Sequence, residues 1–381
     1  MARRMWLMIV GIVLLAASSG WAEDVEPACF KLFPWRRSAP RQYEPFAPMP
    51  SDPSQPPQDP SQPPSSNMPL QDSFASAGQG GSGSPASYAP AMFGDLLGGC
   101  VASTIHIRGA TSQQILCMPS PEQAAAFKIA ESESPRPQNR FYYNYNYLGN
   151  INVNPPGAVG APVAQLHRHV LGFEKTLLDG NASIGLRLPF LKIGGNFGYE
   201  ANVIGDMSIS AKYALVNNGD TGNLLSGGLV MRVPTGEYAV FRNANGARNL
   251  VQQRFNDVYF QPWGGYIYNL FPNLFVHGFH SFSIPTSGAD VLFMSNDVGI
   301  GYWLMRNPGG SLQGIVPTVE IHINTPFRNR GLPSAVIMPD QISITSGAYF
   351  LFARGTLGGA VGVPLAGLHT IEALASYTMR W

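Results

Sequence analysis

Charge is the scarcest ingredient of this 381-residue chain. Lys and Arg number 24 and Asp and Glu 23, together 12% of the residues, about half the usual share of a soluble domain. The formal net charge is +1, so the chain carries no electrostatic footprint for nucleic acid or for an anionic surface. After the first two dozen residues no apolar run reaches 18 residues, which leaves no transmembrane helix. Gly-rich phosphate loops are missing too: Gly227-Gly228 and Gly299-x-Gly301 fall inside strand patterns, where glycine eases curvature. What is present is 45% hydrophobic residues with 42 Gly and 15 Tyr, a composition suited to many short strands and tight turns. Such a chain enters a bilayer only as a closed barrel, because only closure pairs every backbone group.

The N-terminus directs export. Arg3 and Arg4 precede an apolar stretch over residues 5–17, and Gly20 and Ala22 supply the small residues that complete a signal peptide over residues 1–22. Cys29 follows Glu26-Pro27-Ala28 rather than a lipoprotein-type motif, so no lipid anchor is expected. Residues 23–90 are dominated by Pro, Ser, Gln and Gly. That composition cannot bury enough apolar surface to offset its ordering entropy, so a disordered periplasmic linker is expected. Residues 91–137 are either a plug or lid at the periplasmic mouth or a loosely ordered leader. They hold Cys100 and Cys117, a candidate disulfide in an oxidising periplasm, closing a loop worth ~3 kcal/mol in the chain-entropy model. Cys29 is left over.

From residue 138 to 381 the pattern becomes regular. Strand character appears near 140–148, 167–177, 182–190, 207–216, 224–233, 256–269, 274–284, 292–305, 312–324, 341–353, 359–363 and 369–381. Tight turns such as Leu178-Asp179-Gly180 and Asn217-Asn218-Gly219-Asp220 alternate with longer connections at 149–166, 191–206, 234–255 and 325–340. In the last segment Ile371, Ala373, Ala375, Tyr377, Met379 and Trp381 alternate with Glu372, Leu374, Ser376, Thr378 and Arg380. That segment resembles the closing strand of a bacterial outer-membrane barrel. The resemblance implies that barrel-assembly machinery reads Tyr377, Met379 and Trp381 as an insertion signal. The expected fold is all-β: a transmembrane antiparallel up-and-down β-barrel of about 12 strands in the outer membrane, with both chain ends on the short-turn side.

The alternation also assigns the faces. Ile184, Leu186, Leu188 and Phe190 oppose Ser183, Gly185 and Arg187; Met207, Ile209, Ala211 and Tyr213 oppose Ser208, Ser210 and Lys212. A basic side chain in lipid costs roughly 2–4 kcal/mol near the midplane, so a register exposing Arg187, Lys212 and Arg232 together would cost on the order of 6–12 kcal/mol. The polar set is therefore expected to line the lumen: Arg140, Asn144, Asn146, Arg168, Glu174, Arg187, Lys212, Arg232, Asp257, Glu320, His322 and Glu372. Ions of both signs there would pair across strands and set pore polarity.

An enzyme on such a barrel needs a nucleophile with a partnered base. Glu320 and His322 share a face without a serine motif, and His167 and His169 share a face without a third ligand at matching spacing, which reads as solvated loop-edge histidines. No catalytic residue, metal or cofactor is expected. The motifs Gly205-Asp206, Lys212-Tyr213 and Leu229 through Pro234-Thr235-Gly236 resemble the bacterial family of outer-membrane proteins associated with the phenol-degradation meta pathway. That resemblance implies a monomeric barrel passing small hydrophobic or aromatic molecules. The functional expectation is a channel or transporter whose partners are membrane lipid, the assembly machinery and a small-molecule solute. The alternative is a closed structural barrel, anchoring the envelope through its Pro-rich tether to a periplasmic partner.

Overall fold

The computed structural model describes residues 89–96, 100–106, 113–119, 128–152, 163–196, 199–237, 240–243, 249–251, 257–286, 291–327, 336–337, 340–366 and 369–381. The signal peptide, Cys29 and all of the linker before residue 89 lie outside the described residues. Two strands precede the barrel, β1 (Cys100–His106) and β2 (Gln113–Pro119). The wall opens with β3 (Arg140–Asn152), β4 (Val163–Leu177) and β5 (Ala182–Gly195). After β6 (Tyr199–Ile204) it continues through β7 (Met207–Asn217) and β8 (Leu224–Val233). Past β9 (Val240–Asn243) and β10 (Asn249–Val251) come β11 (Tyr259–Phe271), β12 (Leu274–Pro285) and β13 (Phe293–Tyr302). A stub, β14 (Met305–Arg306), flanks β15 (Leu312–Pro326). After β16 (Val336–Ile337), the wall ends with β17 (Gln341–Phe352), β18 (Gly355–Ala366) and β19 (Ile371–Arg380).

Twelve of these strands pair antiparallel in sequence order, and β19 returns to β3 from Arg380↔Arg140 to Ile371↔Gly149. The sheet is a closed barrel without edges, the arrangement that satisfies its whole backbone ladder. Each of the twelve expected segments is a wall strand. The eleventh is longer than its apolar core suggested, because Gly355 through Gly358 continue the ladder to β19. Where no strands were expected, β6, β9 and β10 extend β5 beyond the barrel at the long-connection end. β9 and β10, of four and three residues, are too short to show alternation, whereas β6 alternates, with Ala201 and Val203 buried.

The outward set is apolar and exposed, as with Ile184, Leu186, Ile321 and Phe350; the inward set is polar and buried. Inward aromatics lie across glycines of the adjacent strand: an added Cβ at Gly172 would come within 2.0 Å of the Tyr142 ring, and one at Gly301 within 2.2 Å of Phe275. His167 and His169 differ from expectation. They sit within β4 on the outer face, where Nδ1 of each bonds a tyrosine hydroxyl, Tyr145 at 2.8 Å and Tyr143 at 2.7 Å. Cross-strand partners therefore take the place of solvent.

The barrel is not hollow. Residues 89–96 start at the short-turn end, where the contacts are apolar: Ala89 clusters with Leu224, Ile267 and Phe275. They end at the opposite mouth, where Leu96 N donates to Glu372 and its carbonyl accepts from Gln341. Residues 128–139 return, pairing at Met92↔Glu133 and ending where Asn139 accepts from the Thr176 amide. Gly94 makes the close approach between the two passes: its φ is +78°, and an added Cβ would lie 2.7 Å from Glu131 Cα. Between the passes, β1 pairs with β2 and with β16, in the long connection between β15 and β17. Cys100 stands opposite Pro119, and Cys117 opposite Ala102. Residues 89–96 and 128–139 thus run along the lumen, where Glu131 and Glu133 meet their counterions Arg168, Arg140, Arg187 and Lys212.

Candidate functional site

The lumen wall is divided into sectors. Arg140 on β3, Arg168 on β4, Arg187 on β5 and Lys212 on β7 project inward from four adjacent strands, and all are buried. Glu174 on β4 lies among them, accepting from Arg140 Nε at 2.7 Å and facing Lys212 Nζ at 2.9 Å. The inner segment contributes the other carboxylates. Glu133 is ion-paired with Arg140, Arg187 and Lys212, and Glu131 with Arg168 at 2.5 Å. Removing one partner from such a buried set leaves an uncompensated charge, at a cost of about 3–5 kcal/mol.

Opposite them the signs reverse. Glu320 on β15 accepts from the backbone amides of Phe93 and Gly94, both at 2.9 Å. Asp297 on β13 faces Lys128 Nζ at 2.5 Å and His322 Nδ1 at 2.8 Å. Lys128 also pairs with Asp95, which accepts from Asn324 at 2.9 Å and Ser343 at 2.7 Å. Asp95, Asp297 and His322 are close enough to ligate a metal ion, but the Lys128 ammonium already lies against both carboxylates. Glu320 and His322, the pair that an enzyme would use, are likewise engaged by the inner segment and by Asp297.

A third sector is apolar. Val230, Trp263 and Phe279, on β8, β11 and β12, receive Met92, Ile129 and Ala130, and Trp263 meets Phe279 edge to face at 5.6 Å. Nearer the short-turn end Phe93 stacks on Tyr349 at 4.1 Å, seated over Gly347 and Gly358, where an added Cβ would come within 2.7 and 2.8 Å of its ring.

The other residues singled out in the sequence are spread around this arrangement. Asn144 and Asn146 face inward and are buried. Arg232 stacks on Tyr259 at 3.9 Å and faces Asp206; Asp257 is buried just before β11. Glu372 is bonded by His369 at 2.5 Å as well as by Leu96. Tyr377, Met379 and Trp381 face outward, with Trp381 stacked on Phe173 at 5.5 Å. Sequence reasoning missed Asp297, which the same alternation through Phe293, Ser295 and Gly299 points inward. It also missed Asp95, which stands alone among apolar residues, and Lys128, Glu131 and Glu133, whose clustering in a charge-poor chain was the available signal.

Charge pairing governs the protonation of the inner segment. Burial alone would raise the Glu133 carboxyl, but Arg140, Lys212 and Arg187 hold it down at about 2. For Asp95 burial is again opposed, by Lys128 and His322, with the same result of about 2. Burial wins at Glu131, which is raised despite Arg168 and Arg187. Lys128 is raised, because Asp297 and Asp95 outweigh its burial.

No family model matches the sequence, and no curated protein is similar to it. Among solved structures, the chain is similar to the COG4313 outer membrane channel from Pseudomonas putida F1, with 13% identity, a TM-score of 0.47, and 64% of this chain covering 96% of that one. It is also similar to the KdgM porin, at 9% identity and a TM-score of 0.39 over 64% of this chain and 99% of that one. The beta domain of the Bordetella autotransporter BrkA follows at 10% identity and a TM-score of 0.42, over 64% and 99%. The fold rests on this chain's own strand pairing, and the resemblance over residues 205–236 stays a resemblance.

Proposed function

We propose that this protein is an outer-membrane channel held closed by its own N-terminal segment, admitting small solutes when residues 89–96 and 128–139 leave the lumen. One observation carries the reading: the barrel's charged inner wall is neutralised by a segment whose contacts with it, among the described residues, are ion pairs, hydrogen bonds and side-chain packing, all of them reversible. The apolar outer face supports a place in lipid, since a soluble barrel turns its apolar face inward. Export by the signal over residues 1–22, and assembly directed by Tyr377, Met379 and Trp381, belong to the same reading. The apolar sector of Val230, Trp263 and Phe279 favours solutes with an apolar or aromatic body.

The fully buried pairing supports a second reading, a permanently closed barrel that anchors the envelope through its linker. Planar bilayers separate the two. The full chain should conduct little, and a variant lacking residues 89–137 should conduct steadily. A deletion variant that folds, shown by heat-modifiable mobility, yet passes no current would exclude the channel.

A further inference from the structure

The inner segment shows what chemistry the wall accepts. Of the ion pairs made by Arg140, Arg168, Arg187 and Lys212, the wall supplies Glu174, while the plugging segment supplies Glu131 and Glu133. All four cations are buried. Once the segment departs, the cations lose Glu131 and Glu133, Arg140 and Lys212 keep Glu174, and the group faces the water of a narrow lumen whose low-dielectric wall focuses its field. Beside them lies the patch of Val230, Trp263 and Phe279, now covered by Met92, Ile129 and Ala130. The stretch Ile129-Ala130-Glu131-Ser132-Glu133 therefore sets apolar side chains on the aromatic patch and carboxylates on the cations, as one small amphipathic acid would.

We propose that in the unplugged barrel this wall is a binding site for small organic anions. Arg140, Arg168, Arg187 and Lys212 hold the carboxylate or a similar oxyanion, and Val230, Trp263 and Phe279 carry the apolar body. Guanidinium groups suit this role because their donors match a carboxylate two at a time. Solute and plug compete for the same cations, so bound solute favours the open state by linkage. The inference rests on the channel reading and narrows its solute class.

The test uses the full-length chain carrying E131Q and E133Q, with benzoate, acetate and benzylammonium as probes. In bilayers under a KCl gradient, the variant should pass chloride in preference to potassium. Benzoate should reduce the current at about one tenth of the concentration needed for acetate, which lacks the ring to bury, or for benzylammonium, which lacks the charge-assisted contact. Adding R168Q should abolish that advantage. Current that is cation-selective, or blocked equally by benzoate and benzylammonium, overturns the anion site and leaves the channel standing. If no current flows, equilibrium dialysis in detergent decides: retention of benzoate by the variant but not by the native chain supports the site even as the channel reading fails, and no retention overturns both. If the variant refolds only with added ligand, recovery with benzoate but not benzylammonium supports the site; recovery with neither overturns it.

Discussion

Glu133→Gln removes the anion at the centre of the basic sector while keeping the side chain's size. Glu133 is 1% exposed and pairs with Arg140, Arg187 and Lys212. Breaking a buried charge cluster costs about 3–5 kcal/mol. Arg140 and Lys212 keep Glu174, at 2.7 and 2.9 Å, so the lower end applies, about 3 kcal/mol. In the undocked state the three cations face water, and the substitution costs little there. The difference therefore falls on docking and shifts its equilibrium about a hundredfold toward the open state. Single-channel recording in planar bilayers reads this as the ratio of open to closed time. Glu237→Gln, an exposed change in the connection after β8, serves as the control. If E133Q opens no more often than that control while remaining folded, the ion pairs do not hold the plug, and the reasoning fails.

Three further outcomes follow from the same contacts. Glu133 and Asp95 titrate lower when docked, at about 2, than their ordinary 4.5 and 3.8; their support for docking is full above those ordinary values and is lost as pH falls toward 2. Conductance should accordingly stay low at pH 7 and climb in the acid range, and a current independent of pH across that window would contradict it. Phe93→Ala gives up the stacking on Tyr349 and the burial of a large ring, about 3 kcal/mol; open time should rise as for E133Q, with barrel stability in urea unchanged. Leu186→Arg, on the exposed apolar face, should destabilise the barrel in vesicles by about 2–4 kcal/mol without altering gating, as urea titration of tryptophan fluorescence would show.

Alternation alone was enough to place Arg187, Lys212, Glu320 and His322 inside and Ile184, Leu186 and Ile321 outside. Period-two patterning encodes facing directly, and a slip by one residue would put several cations into lipid. The tight turns and longer connections likewise marked an even-stranded barrel. Closure of β19 on β3, the threading of residues 89–96 and 128–139, and the pairing of Glu133 with three cations from three strands came only with the tertiary structure. Those contacts join residues up to 276 positions apart, as Leu96 and Glu372 are, and the inner segment has no periodicity to betray its path. Local pattern determines which way each wall residue points; which charges meet in the middle is decided by how the wall curves around the chain.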